Sequence, residues 1–258
     1  MNKHICCRPA RLGKAVMGGE KYLLCVPVTG HTNGEILEEV CKAAALQADM
    51  IEWRIDEWEH YPDADKAAAL LGEISKAAGG MGILVTPRSK RERDPGAEDI
   101  SDEAKFGLID TLSATGLAHA FDVEYFYGEE VLRRQAALLH GRGCCLLIAL
   151  HTSPGVYSDE ALLHILQNMQ DWGGDIAKLC VRNERFGDFV HFAGLLLRAR
   201  EEFMDIPMVS AADMSGISRA LGDAFGTDMI FVTTDGSRQP GIQDLRILRS
   251  MLWPDTAV

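Results

Sequence analysis

The chain has 258 residues, 47% hydrophobic and 25% charged, enough for one large α/β unit with a full core or for two small ones. Its 38 acidic and 26 basic residues leave a net charge of −12, which argues against nucleic acid or an anionic membrane as partner. No apolar run reaches the ~18 residues of a membrane span, and the opening stretch, with Lys3, Arg8, Arg11 and Lys14 spread through it, lacks the apolar segment of a signal peptide.

Residues 1–20 precede the first strand and are expected to form an extra hairpin that closes the floor of the fold. Short apolar runs then alternate with helix-like segments along the whole chain. The candidate strands are 22–28, 50–56, 82–88, 117–124, 144–151, 175–181, 206–212 and 229–234. After the first of them, Thr32-Asn33-Gly34-Glu35 has the form of a capping box, and Ile36, Leu37, Val40 and Ala44 repeat on one helical face. Ser158 similarly precedes Asp159-Glu160 and the apolar set Leu162, Leu163, Leu166 and Met169. A βα alternation of this kind without a linker predicts an α/β fold of the TIM-barrel type, (β/α)8, as a single domain over 1–258. A doubly wound open sheet is the alternative, disfavoured because no Gly-rich phosphate fingerprint follows an early strand.

The seven cysteines, at 6, 7, 25, 41, 144, 145 and 180, are odd in number and several fall inside predicted elements. They read as small buried hydrophobes in a reducing cytoplasm. The adjacent pairs Cys6-Cys7 and Cys144-Cys145 lack the spacing of metal ligands, so no metal is expected.

Lys178 stands in the middle of the apolar strand at 175–181. Lysine is seldom fully buried unless paired. Desolvation lowers its pKa from ~10.4 and frees the amine as a nucleophile for Schiff-base chemistry. The bland alternative is a lysine at a strand end that snorkels to solvent. Other charges share strand parity: Glu52, Arg54 and Asp56 in the second strand, Asp122 and Glu124 in the fourth. The third strand ends at Arg88 and the fifth at His151. Functional groups of a (β/α)8 barrel gather where its strands end, and burying this much charge is costly unless the groups pair or meet a charged ligand. His151 is the candidate general acid/base, since imidazole titrates near neutral pH. Arg54, Arg88 and Arg219 are candidates for holding an anionic group. Asp122 or Glu124 would orient His151 or hold Lys178. The remaining histidines, His60, His119, His140, His164 and His191, read as solvated or satisfied.

These residues resemble the type I 3-dehydroquinate dehydratase family over nearly the whole chain. Glu52-Trp53-Arg54-Ile55-Asp56, Thr86-Pro87-Arg88 with Glu92, Asp122-Val123-Glu124, His151, Asp175-Ile176-Ala177-Lys178, Gly216-Ile217-Ser218-Arg219 and Pro240-Gly241 are similar to its motifs and occur in its order. The resemblance implies a cofactor-free hydro-lyase and a homodimer. Lys178 would form an iminium with the ketone of 3-dehydroquinate, His151 would move the proton, and Glu92 would assist. Glu52, Arg54, Arg88 and Arg219 would bind the substrate, with Arg238, Gln239 and Gln243 from the closing loop.

The chain departs from the family at Arg93-Asp94, where two glycines are usual, at Thr152-Ser153 after the histidine, and at Arg238-Gln239-Pro240-Gly241-Ile242 in that loop. Ile242 cannot hydrogen-bond a substrate, a role left to Gln239 or Gln243. Two alternatives follow: a Schiff-base lyase or aldolase of the same fold acting on another keto acid, or a metabolite-binding relative without catalysis.

Overall fold

In a computed structural model of the protein the described residues are 5–92, 99–153, 155–182, 185–212, 226–235 and 241–252. A two-stranded antiparallel hairpin, β1 (Ala10–Leu12) and β2 (Ala15–Met17), comes first. Eight parallel strands follow: β3 (Leu23–Val28), β4 (Met50–Trp53), β5 (Gly82–Val85), β6 (Ala120–Glu124), β7 (Cys145–Thr152), β8 (Ile176–Val181), β9 (Met208–Ala212) and β10 (Met229–Phe231). From β3 to β9 each strand pairs with the next in the sequence, and β10 returns to pair with β3. Between β9 and β10 the Asp228 amide donates to Met208 O at 2.7 Å, and the Met208 amide donates to the Asp228 carboxylate at 2.9 Å. The sheet is therefore a nearly closed barrel, and the doubly wound alternative is excluded.

Helices α1 (Asn33–Ala45), α2 (Ala64–Ala78), α3 (Asp102–Ala114), α4 (Gly128–His140), α5 (Asp159–Asp171), α6 (Phe186–Glu202) and α7 (Ile242–Leu252) accompany the strands. The predicted caps are present. Thr32 and Glu35 make a reciprocal capping box on α1, and Ser158 accepts from Ala161 N on α5. On α1 the fully buried residues are Ile36, Val40 and Ala43 rather than Ala44.

Several strands are shorter than the apolar runs. β5 stops at Val85 because Pro87 has no N–H to give to a ladder. β4 stops at Trp53, and Ile55–Glu57 turns as a 3-10 helix. Arg54, Asp56 and Arg88 thus sit in the loops just past the strand ends, at the rim.

The strand period of two sorts the interior into two cores. Odd residues of β4, such as Ile51 and Trp53, face the helices. Cys25, Met50, Leu84, Ala120, Leu147, Ala149, Ile176, Val209 and Met229 face the lumen and form an apolar layer. Leu12 and Met17 of the hairpin belong to the same cluster and are completely buried, so residues 10–17 do close the floor. The hairpin turn uses Gly13 at φ +62, where an added Cβ would lie 2.8 Å from Gly80 O. Arg200 of α6 locks this end, bonded to Asp228, Ile206 O, Gly226 O and the Cys6 thiol.

Candidate active site

Above the apolar layer the same inward-facing positions become charged. Lys178 of β8 is 3% exposed, and its Nζ lies 3.0 Å from Asp122 Oδ2 and 3.2 Å from Glu52 Oε1. Thr86 Oγ1 donates to the same Glu52 oxygen at 2.9 Å. Phe231 places its ring 5.0 Å from Nζ, a cation–π contact. Arg88 is also buried. It donates to Asp122 Oδ2 at 2.7 Å and Glu92 Oε2 at 3.0 Å, with Glu124 Oε1 at 3.6 Å. The Glu92 oxygen in turn meets His151 Nδ1 at 2.5 Å. Lys178, Asp122, Arg88, Glu92 and His151 therefore form one continuous chain of alternating charge across three barrel strands and the loop after β5.

That network reverses one expectation. Burial does push the Lys178 amine down, but the Asp122 and Glu52 carboxylates outweigh it, and its pKa stands above the ordinary lysine value. Burial pushes Asp122 up, and Arg88 and Lys178 hold it well below the usual carboxylate range. His151 would be lowered by burial; Cys180 and Glu92 raise it instead to about 9. The resting site thus holds a buried ammonium and an imidazolium, each clasped by anions.

A cavity of about 840 Å³ opens over this layer. Glu52, Arg54, Arg88, Glu92, His151 and Lys178 all line it. Arg54 grips Asp56 through two hydrogen bonds, at 3.0 and 2.8 Å, and reaches Glu57 at 3.4 Å. Asp122 lies beneath the cavity and holds Lys178 rather than His151, which Glu92 orients. Glu124 serves the loop wall: it accepts from Ser89 N at 2.6 Å and from Lys105 at 2.5 Å. Gln243 is exposed on α7 and is not among the described residues lining the cavity. Arg219, Arg238 and Gln239, like Arg93-Asp94, lie outside the described residues.

Sequence reasoning missed three residues. Lys105 of α3 is buried against Glu124 and the Tyr127 ring. Arg182, just past β8, lines the cavity mouth. Cys180 faces the same cavity two residues after Lys178. The parity rule would have found Cys180, since it shares the face of Lys178. The histidines set aside are engaged elsewhere: His119 Nδ1 accepts from Ile83 N, and His140 and His191 meet Asp175 and Asp159. Among the described residues no group of three or more His, Cys, Asp or Glu is arranged to hold a metal. No helix among them is long and apolar enough to cross a membrane.

The arrangement offers an amine and an imidazole set among paired charges on the floor of one cavity. A profile for Type I 3-dehydroquinase matches residues 24–255. The 3-dehydroquinate dehydratase of Klebsiella pneumoniae is 31% identical over 232 residues, spanning 89% of this chain and 92% of that protein. The crystal structure of 3-dehydroquinate dehydratase from Geobacillus kaustophilus superposes with a TM-score of 0.89 at 27% identity, covering 99% of this chain and all of that one. The type I 3-dehydroquinate dehydratase of Clostridium difficile, crystallised with covalent modified comenic acid, gives 0.87 at 25% identity over 95% of this chain and 97% of that one. With the barrel, the network and these likenesses together, the chain belongs to the type I 3-dehydroquinase family.

Proposed function

We infer that the cavity dehydrates 3-dehydroquinate to 3-dehydroshikimate, a hydro-lyase reaction of the shikimate pathway or of quinate breakdown, with Lys178 as the covalent catalyst. The observation that carries this reading is a buried Lys178 amine and the His151 imidazole on the adjacent strand, both open to one cavity.

The raised pKa of Lys178 fits this chemistry through charge conservation. An ammonium and a ketone together become an iminium and water, so one positive charge is present before and after. Asp122 and Glu52, which stabilise the ammonium, stand where the iminium will be and stabilise it in the same way. The attacking species is the minor, deprotonated amine. The iminium then draws electrons from the neighbouring C–H bond. His151, in its minor, deprotonated form, takes that proton, leaving a neutral enamine. The imidazolium so formed returns the proton to the departing C1 hydroxyl, which leaves as water and restores the iminium. Hydrolysis breaks the C–N bond, releases 3-dehydroshikimate and regenerates Lys178. Glu92 holds Nδ1 throughout, which leaves the other ring nitrogen for the substrate.

Recognition of an acidic keto substrate falls to cations at the mouth. Arg88 is already occupied by carboxylates and acts as the scaffold of the floor. Arg54 and Arg182 line the opening, and Arg219, Arg238, Gln239 and Gln243 complete the set on the family likeness. The relative crystallised with covalent modified comenic acid supports covalent chemistry in this family. The same reading takes 1–258 as one catalytic domain, a homodimer by the family likeness, working in the cytoplasm without a cofactor. All seven cysteines are free, which supports a reducing compartment. Light scattering on the purified chain reads the oligomer directly.

The test is borohydride reduction in the presence of 3-dehydroquinate, followed by peptide mass mapping. The expected outcome is a reduced adduct on Lys178 together with 3-dehydroshikimate absorbance in the unreduced reaction. No adduct and no absorbance would sink the reading.

A further inference from the structure

Cys180 is a soft nucleophile in the wall of the cavity that the lysine–histidine chemistry leaves unused. It sits on β8 two residues after Lys178, hence on the same inward face. In the parallel ladder it stands directly opposite His151 of β7. Ladder partners point to the same face, so its thiol and the His151 ring stand side by side in the cavity wall. Glu92 already holds Nδ1 of that ring from the loop after β5, at 2.5 Å. The imidazole is thus flanked on two sides, by a loop carboxylate bonded to Nδ1 and by a group built into the strand next to its own.

We propose that Cys180 is a positioning residue for His151: its thiol anchors the imidazole from the barrel wall, so that the ring keeps its reach over the carbon beside the Lys178 iminium. The proposal rests on the Schiff-base reading above and deepens it. A general base has to be held within a fraction of an ångström of its proton, and anchors on strands are stiffer than anchors on loops. A side chain that is 32% exposed at a cavity wall, as His151 is, needs such a second contact more than one packed in the core.

The electrostatics agree with the geometry. Burial pushes the Cys180 thiol up, and the neighbouring His151 outweighs it and brings it below the ordinary value. The thiol in turn raises His151. The other charged groups facing the pair are Glu92 and Arg88 from the end of β5 and its loop, Asp122 from β6 and Lys178 from β8.

Two measurements test this. The first is the kinetics of Cys180→Ala and Cys180→Ser with 3-dehydroquinate. The alanine variant is expected to lose about tenfold in kcat with KM within about twofold, and the serine variant to recover to within about threefold, because a hydroxyl fills nearly the same place beside the ring. The acidic limb of the kcat–pH profile should move to lower pH in both, since neither side chain carries the thiol's charge. The second is the rate at which iodoacetamide labels Cys180 at neutral pH, read by peptide mass mapping in the wild type and in His151→Gln. Labelling should slow by about tenfold when the imidazole is removed.

Unchanged kcat and unchanged limb in Cys180→Ala, or equal labelling rates with and without His151, would overturn the proposal. The labelling needs no substrate. A protein that fails to turn over 3-dehydroquinate yet shows His151-dependent labelling refutes the lyase reading and leaves the Cys180–His151 pairing standing.

Discussion

Two lysines in this protein are hidden from water to the same degree and serve different ends. Lys105, on α3, is 2% exposed and meets Glu124 at 2.5 Å; Lys178, on β8, is 3% exposed and meets Asp122 and Glu52 at 3.0 and 3.2 Å. Burial and pairing are alike. What separates them is the space beside the amine. Lys178 lines the 840 Å³ cavity and has an imidazole across from it, whereas Lys105 is covered by the Tyr127 ring and faces no described cavity. A buried charge is therefore no sign of catalysis by itself. It becomes one when the low-dielectric pocket that makes it costly also admits a reactant.

The comparison breaks or holds on substitution. The largest effect is expected for Lys178→Ala, which removes the nucleophile: kcat should fall by at least about 10⁴-fold, with the borohydride adduct abolished. A variant with more than a hundredth of wild-type kcat would return Lys178 to the structural class of Lys105. Next comes Glu92→Gln. It takes away an anion that raises His151, so the acidic limb of the pH–rate profile should move to lower pH while kcat drops by about 10². A limb that stays in place would mean that Glu92 does not set the histidine.

Lys105→Met is expected to act on stability alone. It strands the Glu124 carboxylate and should cost about 3 kcal/mol in urea unfolding, with Lys178 still trapped by borohydride. Loss of the adduct in a folded Lys105→Met protein would erase the distinction between the two lysines.

The smallest effect is a pH slope. His151 has a folded pKa near 9 against about 6.5 unfolded. Its stabilising contribution is complete below about 6.5 and is lost as pH rises through 9. The ring is about a third exposed, which reduces the size of the effect. The urea midpoint should decline over that window and decline less in His151→Gln.

Much of the site was legible in the sequence. The even residues of β4, β6 and β8 and the odd ones of β7 announce a charged lumen, because a strand turns successive side chains to opposite faces wherever it lies. Lys178 and His151 could be picked out on that rule. Lys105 could not: Asp102-Glu103-Ala104-Lys105 reads as the solvated first turn of a helix, and only the packing of α3 over the end of β6 buries it. Cys180 was legible in position but silent in chemistry, since a thiol in an apolar strand looks like one more small core residue. The floor layer was legible as hydrophobic, while its seal by Leu12 and Met17 depends on a hairpin that folds back under strands far along the chain.

By itself the sequence determined the alternation of strands and helices, the inward parity of the charged residues and the order of the family motifs. These are local properties of covalent geometry and survive without any tertiary contact. Only the folded barrel decided the protonation of the site. The carboxylates that hold Lys178 come from positions 56 and 126 residues away in the chain. Read alone, a buried lysine should lose its proton. Set between Asp122 and Glu52 it keeps it, because the attraction of two charges across a dry lumen exceeds the desolvation penalty that the strand alone would impose.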